Sequence, residues 1–433
     1  MIYILFIGIL ILFFISFFLF KKNILNPSVI LCSVFLISLF FSILNVKKWN
    51  IIFYLNSILI ILGTILMFIL GNSIIYLLPK KNKKMNRKID IKKISLKTVL
   101  VLDMIFLILL YKYFQEVYKL SLIAGNKNGY ISMLYYARIA QLNFYSVSKI
   151  SGYSTILVRA VSNICIFIFL YIGINKKFKI KNLYLLFPVI IQICFIILST
   201  GRTQFIYLII YILIIFSILY LQKYNFNIKS NLKIIFIGLI SFILFLIIFN
   251  LSGYLKGSSL NMEKVLNRIS IYTGSSIPAF NIYLNSLKNI NISNKYFGEN
   301  TLFCFYRVLQ KLGFNIPNFY APYEFIFFGG IRTNIYSAIR RYYEDFGLIG
   351  LFLITFLLGV FYGIFFHYAS YKKNNFFILI LYANFCFPIF EFPIEERFFM
   401  HLFPTGFISN FIIFGTIYYF LIYRNIKKEK LKL

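Results

Sequence analysis

The sequence predicts an all-α fold, a polytopic membrane helix bundle. Three observations lead there. Hydrophobic residues make up 61% of the 433. The mean hydropathy is +0.83. The apolar residues form continuous runs instead of alternating with polar ones. A soluble domain is only about 45–50% apolar, whereas about 20 apolar residues carry a helix through the hydrocarbon core. Continuous runs favour helices over a barrel, whose strands alternate.

About eleven runs (ten to twelve) reach spanning length. The first eight are roughly 2–20, 28–46, 51–70, 99–114, 154–174, 183–199, 205–221 and 234–254. The last three are 347–366, 376–390 and 403–423, of which the tenth is short and carries Pro388. The first run lacks a basic leader and a small-residue cleavage site, so it reads as a membrane helix and not as a cleavable signal. Residues 1–433 read as one integral-membrane domain. Within it, 253–346 forms a long extracytoplasmic loop between the eighth and ninth helices.

Lys and Arg orient the helices. The segment Lys80–Lys97 holds nine basic residues. Further basic loops contain Lys176, Lys177, Lys179 and Lys181, then Lys223, Lys229 and Lys233, then Lys372 and Lys373. The tail adds Arg424, Lys427, Lys428, Lys430 and Lys432. Eleven spans put all of these on one side, which is then cytoplasmic. The N-terminus falls outside and the C-terminus inside. Lys47 and Lys48 break the pattern.

The net charge of +33 raises the question of nucleic acid. That reading is rejected, because the charges are scattered through short loops between spans, as positive-inside topology requires. Of the twelve acidic residues, nine fall on the outer side: Glu116, Glu263, Glu299, Glu324, Glu344, Asp345, Glu391, Glu395 and Glu396. Four of the five cysteines lie in apolar runs and none forms a CxxC, so they read as small core hydrophobes. The two histidines, His367 and His401, fall on opposite sides, and no DxD pair, P-loop or Gly-rich dinucleotide turn is present. No metal or cofactor is expected. Arg159 and Asp103 lie within spans, where a charge is costly. Both are expected to face the bundle interior, where they could pair.

Two outer loops are long, 116–152 and 253–346, and loops of that length are usually functional or disordered. The second is rich in aromatics and is expected to fold onto the outer face, partly as interfacial helices. Three constellations stand out. Ser199-Thr200-Gly201-Arg202-Thr203-Gln204 is a polar break between apolar runs. A guanidinium beside the free amides of a helix start can grip phosphate, although a snorkelling Arg that merely ends a helix has the same look. Ile271 to Asn281 holds Tyr272, Ser275 and Asn281, residues suited to sugar hydroxyls, but it reads equally as a helix cap with Pro278 in the first turn.

The third constellation is the densest. Arg332, Arg340, Arg341, Glu344 and Asp345 fall within fourteen positions of a chain that is 13% charged. A helix over 333–346 would align Arg332, Tyr336 and Arg340 on one stripe, and Asn334, Ser337, Arg341 and Asp345 on the next. Arg340–Glu344 and Arg341–Asp345 would be i,i+4 pairs. As solvated pairs they are worth about 0.3–0.5 kcal/mol each. They could also orient the guanidiniums toward a ligand.

The run STGRTQFIY, then IYTGSSIPAFN with YFGENTLF after it, then RTNIYSAIRRYYEDFGLIG resembles the oligosaccharide repeat-unit polymerases, the Wzy-type O-antigen polymerases. The resemblance covers roughly 191–363; the N-terminal half matches only in hydropathy. It implies a multi-pass enzyme of the bacterial inner membrane acting at the outer face. Such an enzyme joins undecaprenyl-diphosphate-linked oligosaccharides into O-antigen or capsule. The lipid bilayer, and a chain-length regulator and flippase of the same pathway, are the implied partners.

Transfer from a sugar diphosphate needs positive charge on the leaving group, a base for the acceptor hydroxyl, and positioning. The residues expected to supply the chemistry are Arg202, Arg332, Arg341 and Asp345. Substrate contacts are expected from Gly201, Thr203, Tyr272, Ser275, Asn281, Asn334, Tyr336, Arg340 and Tyr343. The base is open among Glu344, Glu395 and His401. Nearby arginines favour the ionised form of Glu344 and Asp345, which makes each a weaker base. Two other readings stand beside the polymerase: a ligase that moves the glycan to a lipid core, and a flippase or other transporter.

Overall fold

The computed structural model describes residues 1–77, 93–143, 145–176, 179–201, 203–224, 228–254, 262–286, 296–316, 325–372, 375–403 and 405–424. Among them, eight helices are long and apolar enough to cross a membrane. They include α1 (Ile2–Leu19), α2 (Pro27–Leu44), α4 (Leu55–Leu77), α7 (Lys149–Asn175) and α9 (Thr203–Tyr224). The others are Ile180–Leu198, which contains α8 (Phe187–Leu198), then α14 (Ala338–Tyr371), and Gly406–Tyr423 at the end. A short helix α3 (Val46–Trp49) follows α2, and α6 (Met133–Leu142) lies in the segment before α7.

The expected count of eleven is not reached by length and composition over the described residues. The three remaining runs do form helices. One is α5 (Leu96–Ile123), with Asp103, Lys112 and Glu116 in its body. The second is α10 (Ile228–Tyr254). The third is the shorter pair α15 (Phe376–Phe385) and α16 (Phe387–Glu391), which breaks beside Pro388.

Polar residues at the ends set the helix boundaries. The Asn26 side chain accepts from the Ser28 amide at 3.0 Å, with Pro27 opening α2. Ser95 and Ser148 cap α5 and α7 in the same way. Between the caps the side chains sort as they do in lipid. Ile7, Leu59, Ile108, Ile243 and Leu353 all stand exposed on helix faces, an arrangement that water would penalise.

Packing inside is close. Helices α4 and α14 approach backbone to backbone: a Cβ on Gly71 would lie 2.0 Å from the Phe356 carbonyl oxygen, and one on Gly359 2.2 Å from that of Phe68. Small residues at such crossings are how membrane helices gain contact without a hydrophobic driving force. Asn72 donates across helices to Asn26 (2.6 Å) and Ser28 (2.7 Å).

The connections gather at two ends. At one end Lys93 donates to Asn182, Asn231 to the Lys22 carbonyl, and Gln222 to the Ala369 carbonyl. At the other end the loop after α2 meets the segments of the long loop and the turn after α16. There Lys48 donates to Asn267 (3.4 Å) and Ala338 N–H to the Phe392 carbonyl (3.0 Å). Lys47 and Lys48 therefore sit with the long loop in spite of their charge.

The described parts of that loop are folded. They form α11 (Met262–Gly274), α12 (Ser276–Ser286), α13 (Phe303–Lys311) and a hairpin, β1 (Ile326–Phe328) with β2 (Ile331–Thr333). The strands pair antiparallel with Ile326 opposite Thr333, the one small exception to the all-α expectation among the described residues.

The hairpin also corrects the expected helix over 333–346. Residues 331–333 are a strand and 334–337 are non-helical. The helix starts at Ala338, capped by the Ser337 side chain. It runs only to Phe346, because Gly347 (φ 63°, ψ −166°) breaks α14 into a short helix, called the outer helix after the side expected of it, and a long apolar helix. That backbone region is essentially restricted to glycine.

Candidate functional site

The outer helix 338–346 is the hub of the site end. Arg340 is 3% exposed and lies over two rings, 4.0 Å from the Tyr336 centroid and 4.4 Å from that of Tyr283. The two tyrosines meet edge to face at 6.2 Å. The Arg340 Nε lies 3.6 Å from the Glu344 carboxylate. Burial raises both phenols to about 12, with the Glu344 charge adding to each. The expected stripe therefore survives only as Tyr336 against Arg340. Arg332 leaves it for the hairpin, exposed and stacked on Phe325 (3.9 Å) and Phe327 (5.5 Å).

Arg341 and Asp345 meet through the segment 296–302. Asp345 accepts from the Thr301 amide (2.6 Å), the Asn300 side-chain amide (3.0 Å) and the Asn300 backbone N–H (3.3 Å). Arg341 donates to the Asn300 side-chain oxygen (3.3 Å), and Thr301 Oγ1 donates to the Arg341 carbonyl (3.2 Å). The YFGENTLF stretch is thus strapped to the outer helix by the residue expected to do chemistry. The Asp345 oxygens are occupied by loop donors.

A second polar group, Glu391 to His401, is tied to the same helix. Tyr342 donates to Glu396 at 2.9 Å, and Ser337 Oγ to the Phe392 carbonyl at 3.2 Å. Glu396 is fully buried and accepts from the Phe398, Phe399 and Met400 amides at 2.8–2.9 Å. Burial raises its pKa against the pull of those four donors. Arg397 sits between Glu391 (2.8 Å) and Glu395 (2.5 Å), and its Nη1 contacts His401 Nε2. Burial works to lower the Arg397 pKa, but the two carboxylates outweigh it and hold it raised. The His401 ring stands exposed at its rim, yet desolvation by the groups packed around it, and then the Arg397 charge, lower it to about 4. A guanidinium facing Nε2 requires that nitrogen to accept, so the ring is neutral.

The first motif reaches this group through Tyr207. That ring lies 4.0 Å from Phe387, and its hydroxyl faces Glu391. Arg202 itself lies outside the described residues. Around it, Thr200 turns at φ 57° and bonds Gln141 at 2.9 Å, the Gly201 amide donates to Ser199 Oγ, and Thr203 opens α9.

The 271–281 motif docks on α2, with Ser38 and Ser42 donating to the Thr273 and Gly274 carbonyls. Ser275 is buried against Thr333 Oγ1 (3.1 Å). Asn281 is buried and holds the 52–57 turn through Tyr54, Ser57 and Ile52. Both serve the scaffold. Tyr272 and Asn334 stay exposed, and Tyr343 is half-buried against the core. Of the candidate bases, Glu395 is the most open carboxylate, at 41% against 9% for Glu344.

Two cavities complete the picture. One, of about 220 Å³, lies between α4 and α12 and is lined by Tyr54, Asn56, Ser57, Asn281 and Asn285. The other is a polar chamber inside the bundle, reached by Arg159, Asn163, Gln192, Gln204, Asn384 and Asn410. Arg159 bonds Asn410 there (3.4 Å). The pairing of Arg159 with Asp103 does not occur: among the described residues neither makes an ion pair, and both Asp103 oxygens are buried without a hydrogen bond. Among the described residues no group of three His, Cys, Asp or Glu is placed to hold a metal.

Sequence reasoning missed Tyr283, Asn300, Tyr342 and the role of Glu396. Each is a partner across 40 or more positions, a distance no local pattern reports. A charged residue inside a span was the one available signal for the chamber.

Over 137 residues the chain is 26% identical to an O-antigen polymerase of Shigella dysenteriae, a match covering 32% of this chain and 33% of that protein. The chain thus spans about a third of that relative's length. No family model matches, and no solved structure does.

Proposed function

We propose that this chain is a polymerase of the cytoplasmic membrane. It joins undecaprenyl-diphosphate-linked oligosaccharide repeat units into a surface polysaccharide, O-antigen or capsule, at the outer face. The observation that carries the reading is convergence. The described parts of four separated polymerase-like segments meet at one end of the bundle around the outer helix. Tyr207 meets Glu391, Ser275 meets Thr333, Thr301 meets Asp345, and Tyr342 ties in Glu396. The similarity to an O-antigen polymerase points the same way.

In the reaction the acceptor hydroxyl oxygen bonds to C1 of the donor sugar. The bond from C1 to the diphosphate oxygen breaks, and the acceptor proton passes to a base. Undecaprenyl diphosphate leaves carrying the electron pair. Arg341 and Arg332 are the accessible cations of the cluster, and with Arg202 they are assigned to the departing diphosphate. Arg340, sealed between tyrosines, orders the helix that carries Arg341. Glu395, more open than Glu344 and held in place by Arg397, is assigned as base. The 220 Å³ cavity is smaller than the roughly 300–1,000 Å³ of a drug-sized site. Its amides, hydroxyls and tyrosine suit one sugar ring.

The test is a gene deletion complemented with wild type or Arg341→Ala, read on a glycan gel. The deletion should leave core plus a single repeat unit, and wild type should restore the ladder. Arg341→Ala should shorten or abolish the ladder at normal membrane abundance. Loss of even the single unit in the deletion strain would point to a ligase or flippase instead.

A further inference from the structure

The polar chamber within the bundle is not explained by the outer cluster. Its wall holds a guanidinium and a ring of amides drawn from α7, α8, α9, α15 and the last helix. Arg159 spends one nitrogen on Asn410 (3.4 Å), and its Nε is buried with no hydrogen-bond partner. The Asn163 and Gln192 side-chain oxygens are likewise buried and unpaired, although Asn163 donates to Asn384 at 2.8 Å. Among the described residues no carboxylate pairs with Arg159. A buried charge is normally paired, and a buried polar atom is normally bonded. Three orphaned atoms and one unneutralised cation around a single cavity describe a site lacking its ligand. An intramembrane ionisable residue facing a cavity is itself a mark of function.

We infer that this chamber seats a phosphate group carried on a lipid, with Arg159 as its counter-charge. The free space of about 30 Å³ is near the volume of one water. It therefore admits a phosphate edge of one or two oxygens, not a sugar. Arg159 Nε supplies the donor. The Asn163 and Gln192 oxygens, acceptors only, suit the water that accompanies it. Gln204 lines the cavity and follows Gly201 and Thr203 at the start of α9, so the chamber adjoins that motif. Where the lipid is the diphosphate-linked substrate, the inference rests on the polymerase reading. A phospholipid headgroup offers the same chemistry and does not need that reading.

The experiment compares purified wild type, Arg159→Lys and Arg159→Met in maltoside micelles by native mass spectrometry. Each is titrated separately with a polyprenyl diphosphate, with phosphatidylglycerol and with inorganic phosphate. Arg159→Met should weaken binding of a lipid phosphate by about 10- to 100-fold, the effect of losing charge-assisted hydrogen bonds. Arg159→Lys, which keeps the charge, should stay nearer wild type. Loss confined to the polyprenyl diphosphate identifies a substrate seat. Loss confined to phosphatidylglycerol identifies a bound membrane lipid, and either result supports the phosphate site. Equal binding of both lipids by wild type and Arg159→Met overturns it. If Arg159→Met is not recovered folded, Gln192→Leu provides the same comparison with the charge intact. Because the assay needs no polymer synthesis, it can succeed while the ladder test fails, and the two readings fall separately.

Discussion

Replacing Asp345 with alanine separates a tethering role from a catalytic one. The carboxylate takes three donors from 300–301, the shortest at 2.6 Å. A hydrogen bond to a charged group is worth about 1.5–3 kcal/mol when well buried. Asp345 is only half-buried, and water can replace part of each bond. The three together should therefore hold the strap by about 2 kcal/mol, which is roughly a 30-fold change in the opening equilibrium. Hydrogen–deuterium exchange of the protein in micelles reads this directly. In Asp345→Ala the Thr301 and Asn300 amides should exchange roughly 30-fold faster, with helices α4 and α7 unchanged. Polymer length in a complemented strain should fall without vanishing, because Arg341 keeps its place on the helix and loses only the order of Asn300 beside it. The refuting result is an unchanged exchange rate at 300–301 with polymerisation abolished. Asp345 would then act on substrate and the tether would be incidental.

Three further outcomes follow from the same end of the molecule. Tyr342→Phe removes one of four donors to Glu396 and should cost about 1 kcal/mol. Glu396→Ala strands three amides and the phenol and should deplete folded protein; a size-exclusion profile of each variant distinguishes them, and equal profiles would refute the ranking. Gly347→Ala forces a side chain onto φ 63°, a strain of about 1–3 kcal/mol. It should lower the apparent melting temperature and shorten the ladder together, and an unchanged melt would count against a required break. His401 is held at about 4, below the free value near 6.5. The unfolded chain therefore takes up that proton first as pH falls, and stability is lost from about pH 6.5 down to about 4. The buried Glu396, with its raised pKa, contributes the opposite slope. The difference between wild type and His401→Gln isolates the histidine, and identical pH–melting curves would refute its lowered pKa.

The membrane helices were legible because hydrocarbon imposes one rule on every residue of a span, and a local window can read it. Residues 2–19, 149–175 and 203–224 needed nothing more than continuous apolarity. The segment 325–346 was only half legible. Charge spacing over 332–345 suggests one continuous helix, because a four-residue interval is what a helix would use. That reading fails at Arg332. Gly329 and Gly330, both at positive φ, turn the chain into a hairpin, the strand ends at Thr333, and Ser337 caps a new helix four residues on. The pair expected from spacing at Arg341 and Asp345 is met instead through Asn300, from more than 40 positions away.

The same cause explains why charge count was a better guide than charge pattern. A cluster of ionisable residues in an apolar chain marks a place where the fold must supply partners, and that much is local. Which partner each residue takes depends on neighbours such as Tyr283 and Tyr336. Their rings and hydroxyls convert two of the five charges into buried framework and leave Arg332 and Arg341 accessible. If catalysis draws on the accessible cations, Arg332→Ala and Arg341→Ala should act on turnover, while Arg340→Ala should act first on folding. That ordering follows from burial and could not have been drawn from the run of arginines alone.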